Sequence, residues 1–93
     1  MESGEISSIF IIKNKLGLHA RAAAMFVRLS NKFSSDIKLM KDGYEVNGKS
    51  ILGILSLAAI QGTEVKISVQ GEDAREALAE IEKLIESGFG EGT

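Results

Sequence analysis

Cysteine is absent from the 93 residues, and with it go disulfides, thiolate nucleophiles and cysteine-ligated zinc. Histidine occurs once, at His19, so a metal site would have to rest on carboxylates, and no calcium-loop spacing of acidic residues is present. Neither a metal nor a cofactor is expected. Aromatic residues make up 5% of the chain and the net charge is −2 with His neutral. The basic and aromatic footprint of a nucleic-acid-binding surface is therefore missing. Long hydrophobic runs are missing too. The longest mainly apolar stretch, residues 51–60, is interrupted by Gly53 and Ser56 and is too short to cross a bilayer. The first five residues are acidic and polar, unlike a signal peptide, so a cytoplasmic location with no membrane partner is expected.

What is there is ordinary globular material, 44% hydrophobic and 26% charged, in a length suited to one small domain. A chain of this size buries about two-thirds of its unfolded surface, enough for one modest core. One domain is expected over 1–93, with its core in 6–87 and a flexible Gly-rich tail at 88–93.

Residues 6–13 are rich in β-branched side chains and read as a strand. Residues 20–31 favour helix, with Ala23, Phe26, Val27 and Ser30 spaced along one stripe. Residues 35–41 read as a strand with Ile37 and Leu39 on one face. Asp42 and Gly43 both tolerate positive φ and predict a hairpin into a strand at 44–47. Residues 51–58 suggest a short apolar helix with Ser50 as its N-cap. Gln61 and Gly62 form a turn, and residues 64–70 alternate with Val65, Ile67 and Val69 inward. Ala74, Ala77, Leu78, Ile81, Leu84 and Ile85 mark one face of a last helix. Asp73 and Glu76 suit its positive start and Gly88 its exit. The order β-α-β-β-α-β-α predicts an α+β two-layer sandwich, an open sheet with helices on one face. Element order alone does not choose the strand arrangement.

His19 stands directly before the first helix, after a Gly-containing loop. The N–H groups of a first helical turn lack partners and, with the helix dipole, favour an anion. Arg21 could add charge-assisted hydrogen bonds to phosphoryl oxygens, and an imidazole nitrogen is a competent nucleophile near neutral pH. Equally, His19 could merely cap or pack, with Arg21 a solvated charge. Spacing does not decide between these readings.

The run Gly17, Leu18, His19, Ala20 and Arg21, followed by an Ala-rich helix, resembles the active-site signature of the HPr family of phosphocarriers. Residues 47–57 resemble that family's regulatory-serine segment, and Gln61, Gly62 and Thr63, then Gly71, Glu72 and Asp73, fall at matching intervals. Two separated signatures in register are more specific than either alone. The similarity spans residues 6–87. It implies four antiparallel strands in spatial order 1-4-2-3. It further implies that enzyme I, charged by phosphoenolpyruvate, phosphorylates His19 at Nδ1. The group then passes to a histidine on a IIA-type protein, so the chain is a phosphoryl-transfer intermediate rather than a stand-alone enzyme.

Sugar-transport members of the family usually carry Pro where this chain has Ala22. Residues 15–24 and 86–89 resemble the nitrogen-related NPr branch instead. Ser50 matches the serine that HPr kinase phosphorylates, which NPr versions lack, so the chain mixes both branches. The docking residues expected on the first helix are Ala20, Arg21 and Ala24. Those expected around the short helix are Lys49, Ile51, Leu52 and Leu55, with Leu52 and Leu55 on one helical face. A monomer is expected. Two other functions compete with this one. A regulatory module read only through Ser50 phosphorylation needs neither His19 nor Arg21, and an RNA-binding domain needs the surface this chain lacks.

Overall fold

A computed structural model describes residues 4–91. In chain order it contains β1 (Glu5–Ile11), α1 (Ala20–Ser30), β2 (Asp36–Lys41), β3 (Tyr44–Asn47), α2 (Ile51–Ser56), β4 (Glu64–Gln70) and α3 (Ala74–Glu86), followed by a 3-10 turn over Gly88–Gly90. The four strands form one antiparallel sheet in the order β1-β4-β2-β3. The three helices lie on one face and the architecture is the α+β open sandwich expected.

Local chemistry accounts for most of the elements. Asp42 and Gly43 adopt φ of 52° and 80°, the left-handed pair that a two-residue hairpin needs, and this sets Leu39 opposite Val46. β4 alternates as its sequence does: Val65, Ile67 and Val69 are buried beneath the helices while Lys66 faces out. Phe10 pairs with Val65 and Leu39 with Ile67, so the two long central pairings stack apolar side chains in one layer. Phe26 from α1, Ile54 from α2, and Ala77, Ile81 and Ile85 from α3 close that layer from above. Each fully buried large apolar side chain contributes about 1.5–3 kcal/mol, and they make one contiguous core.

Two expectations are corrected, and one contact goes beyond them. The short helix stops at Ser56 rather than reaching Ala58, because Ala58 turns to φ 52°. Asp73 stands at the N-cap of α3 but makes no cap hydrogen bond. Its carboxylate instead accepts from the amides of Ser34 and Ser35, at 2.9 and 3.0 Å, and from the Ser35 hydroxyl at 2.5 Å. It thereby ties the start of α3 to the segment before β2. Finally, the chain after α3 is not loose over 88–91. Phe89 is fully buried in the left-handed region at φ 56°. Such backbone strain costs about 1–3 kcal/mol, and burying the ring offsets it. Residues 92–93, the rest of the expected tail, lie outside the described residues.

Candidate functional site

The site begins with a close approach. Gly17 sits at φ 69°, and a Cβ there would fall 2.5 Å from the Ala59 carbonyl oxygen. Only glycine fits both the backbone conformation and the space. Leu18, buried, fixes the loop further by donating its N–H to Ala59 O at 2.9 Å. His19 follows in extended conformation as N-cap of α1, and its carbonyl accepts from Ala23 N at 2.8 Å. The imidazole is therefore held at the open amide end of the helix.

Both ring nitrogens are engaged. Nδ1 accepts from the backbone N–H of Arg21 at 3.3 Å. Nε2 lies 2.5 Å from Glu91 Oε2. A carboxylate can only accept and an amide N–H can only donate. The neutral ring is thus the Nε2–H tautomer with its lone pair on Nδ1, facing the first turn of α1. The Arg21 side chain, exposed, reaches the same Glu91 oxygen from Nη1 at 2.8 Å.

Asn14 completes the cluster from below. It is fully buried, and its Nδ2 donates to Gly17 O at 2.8 Å and to Glu91 Oε1 at 3.1 Å. The Asn14 hydrogen bond, then that of His19, and the positive charge of Arg21 hold the Glu91 carboxyl below the usual carboxylate range. Partial burial pushes the other way without prevailing.

His19 and Arg21 thus meet as the sequence suggested. Ser50 is the N-cap of α2, its Oγ accepting from Gly53 N at 3.0 Å. α2 packs beside α1. Leu52 is 79% exposed and Ile51 41%, and Ala20 is exposed while Ala24 is half-buried. Leu55, expected to share an outward face with Leu52, is partly buried against the core. Lys49, expected to stand free for partners, donates its ammonium to Phe33 O at 2.7 Å, at the far end of α1 from His19. Sequence reasoning missed Asn14, Glu91 and Leu16, the last 67% exposed in the loop before His19. The single phenylalanine among the final glycines was the available signal for Glu91, since an apolar anchor there draws its neighbours inward. Among the described residues no group of three or more His, Cys, Asp or Glu is placed to hold a metal ion. No described helix is long and apolar enough to cross a membrane.

Comparison with known proteins agrees with this arrangement. Residues 6–87 match the family model described as the PTS HPr component phosphorylation site. The chain is 47% identical over 83 residues to the phosphocarrier protein HPr of Xylella fastidiosa (strain 9a5c), covering 89% of this chain and 93% of that protein. It is 49% identical over 75 residues to the HPr-like protein Crh of Bacillus subtilis (strain 168), covering 81% and 88%. It resembles the crystal structure of HPr-C-His from Thermoanaerobacter tengcongensis with a TM-score of 0.91 and 51% identity, over 95% of this chain and 99% of that one.

Proposed function

The chain belongs to the HPr family of phosphotransferase-system phosphocarriers, and from that premise we propose that His19 is its phosphoryl acceptor and Arg21 the side chain that steadies the group. The observation that carries the reading is the lone pair of Nδ1 directed at the unfilled amides of α1. In the step, Nδ1 attacks the phosphorus of a phosphohistidine on enzyme I. One N–P bond forms as the donor's N–P bond breaks, and the donor nitrogen recovers its lone pair. The negative oxygens of the moving group then meet the N–H groups of the first turn and the Arg21 guanidinium. The reverse chemistry delivers the group to a histidine of a IIA-type acceptor.

Three finer readings join this one. Ala22, in the place of the usual Pro, favours a regulatory, NPr-like relay over bulk sugar uptake. Ser50 is the target of an HPr kinase, supported by its position at a helix start, where phosphate is locally tolerated. The third reading is a carrier that works as a monomer. A purely regulatory module controlled through Ser50 is the second reading. The resemblance to Crh favours it, and an intact acceptor histidine weighs against it.

The test is incubation with enzyme I and labelled phosphoenolpyruvate. Acid-labile label on the native protein and none on His19→Ala is the expected result. Equal labelling of the two would remove His19 from its role. Absence of label on the native chain would favour the regulatory module.

A further inference from the structure

We propose that Glu91 is a positioning residue for His19: its carboxylate holds the ring as the Nε2–H tautomer and balances the positive charge the ring acquires when Nδ1 takes the phosphoryl group. The inference deepens the reading of His19 as phosphoryl acceptor and rests on it.

The charge balance makes the case. A neutral imidazole that gives its Nδ1 lone pair to phosphorus keeps the proton on Nε2. The ring therefore becomes cationic as the N–P bond forms and the donor's N–P bond breaks. No proton has to leave, provided something holds Nε2–H and tolerates the new charge. Glu91 Oε2 stands 2.5 Å from that nitrogen. A carboxylate on the far nitrogen of a histidine that acts through its near one is the arrangement by which an acid orients and charge-balances an imidazole.

The carboxylate itself is held on both oxygens. Asn14 donates to Oε1 while His19 and Arg21 share Oε2. Asn14 is buried and also grips the Gly17 carbonyl, so the loop that aims His19 and the segment that carries Glu91 share one fastening. Phe89, fully buried two residues earlier, anchors the backbone. The acid's side chain is only 16% exposed, so its charge is poorly screened by water.

The contact does not obstruct the transfer. Glu91 approaches Nε2, whereas Nδ1 faces the amides of α1. Arg21 engages Glu91 through Nη1, and a guanidinium has five N–H donors in a fork, so others are free to turn to phosphoryl oxygens.

The experiment pairs two readouts on native protein, Glu91→Ala and Glu91→Gln. The first is the His19 ring N–H signal in NMR, with its rate of exchange with solvent. The second is the initial rate of charging by enzyme I and phosphoenolpyruvate at varied carrier concentration. A thermal melt of each variant confirms folding. In the native protein a protected Nε2–H signal is expected. Glu91→Ala loses it and charges about tenfold more slowly at saturation, with KM for the carrier little changed. Glu91→Gln keeps an acceptor oxygen but no charge, so it retains the signal and charges at an intermediate rate. Native-rate charging of a folded Glu91→Ala protein would overturn the proposal. Faster charging would also overturn it, by making Glu91 an occupant that the phosphoryl group must displace. If Glu91→Ala fails to fold, the isosteric Glu91→Gln decides on rate alone, native-rate charging again overturning it. If native protein accepts no phosphate at all, the parent reading of His19 fails, a result distinct from any difference among variants.

Discussion

Asn14 and Glu91 stand 77 positions apart in the chain and meet through a 3.1 Å hydrogen bond from Nδ2 to Oε1. Removing the amide takes one donor from each of two acceptors, the Gly17 carbonyl, which keeps the His19 N–H, and the Glu91 carboxylate, which keeps His19 and Arg21. Each lost hydrogen bond costs about 0.5–1.5 kcal/mol, or about 1–3 kcal/mol for the two. Asn14→Ala is expected to lower the unfolding free energy by that amount in urea titration and to slow charging of His19. An Asn14→Ala protein of native stability and native charging rate would show that the fastening is idle.

Asp73 predicts the acid limb of stability. The Ser35 hydroxyl above all, with the amides of Ser34 and Ser35, holds its carboxyl below the usual range in the folded chain. A group depressed in the native state stabilises fully above its unfolded pKa, and that stabilisation is lost as pH falls through the native value. Asp73→Asn is therefore expected to melt below native protein at neutral pH, with the gap narrowing steadily in acid. Melting temperatures from neutral to acidic pH check this. A gap that stays constant would assign the effect to packing instead.

Leu52 and Ile54 are two residues apart and opposite in consequence. Leu52 is 79% exposed and Ile54 fully buried. Leu52→Glu is expected to weaken enzyme I binding by about tenfold, or 1.4 kcal/mol, through loss of an apolar docking contact. Its melting point should be nearly unchanged, as for most surface substitutions. Ile54→Ala should cost about 2–5 kcal/mol of stability. Calorimetry and melts on both variants check the pair. Normal enzyme I affinity in Leu52→Glu would move the docking surface elsewhere.

Ser50 combines a cap with a modification site. Ser50→Ala should cost about 1 kcal/mol by freeing the Gly53 amide. Phosphorylation by an HPr kinase should leave the fold intact and slow charging of His19, since the added charge repels acidic partner surfaces rather than opening the helix. Mass spectrometry followed by a charging assay is the measurement. A protein that the kinase leaves unmodified would lack this control.

Where the chain specifies structure locally, the sequence was readable. The Asp42 and Gly43 hairpin, the alternation of β4 and the apolar face of α3 each follow from a short-range rule. Placing β4 between β1 and β2 does not, because pairings across half the chain leave no period to read; the resemblance supplied it. His19 and Arg21 were visible since a helix start needs only neighbours in sequence. Asn14 and Glu91 were not, since a lone Asn in a loop and a Glu among glycines look like solvated residues until the fold closes. The bonds of Asp73 were hidden for the same reason. Its charge suits a helix start, but only the closed fold brings the serines before β2 to its carboxylate. Leu55 misled because three-residue spacing fixes a shared face and not how far around the helix the core extends.

The anchored Phe89 has a consequence for how the protein is made. Translation delivers Asn14, His19 and Arg21 early and Glu91 near the end of the described chain, so the imidazole has no counter-charge at Nε2 while the ribosome is still extending α3. Small domains condense as units once their elements are available, and here the turn after α3 brings both a core side chain and the acid proposed to settle the ring. Full charging speed at His19 would then come only once that turn has packed, and a nascent chain that displays the His19 loop without it would make a slower competitor for the donor.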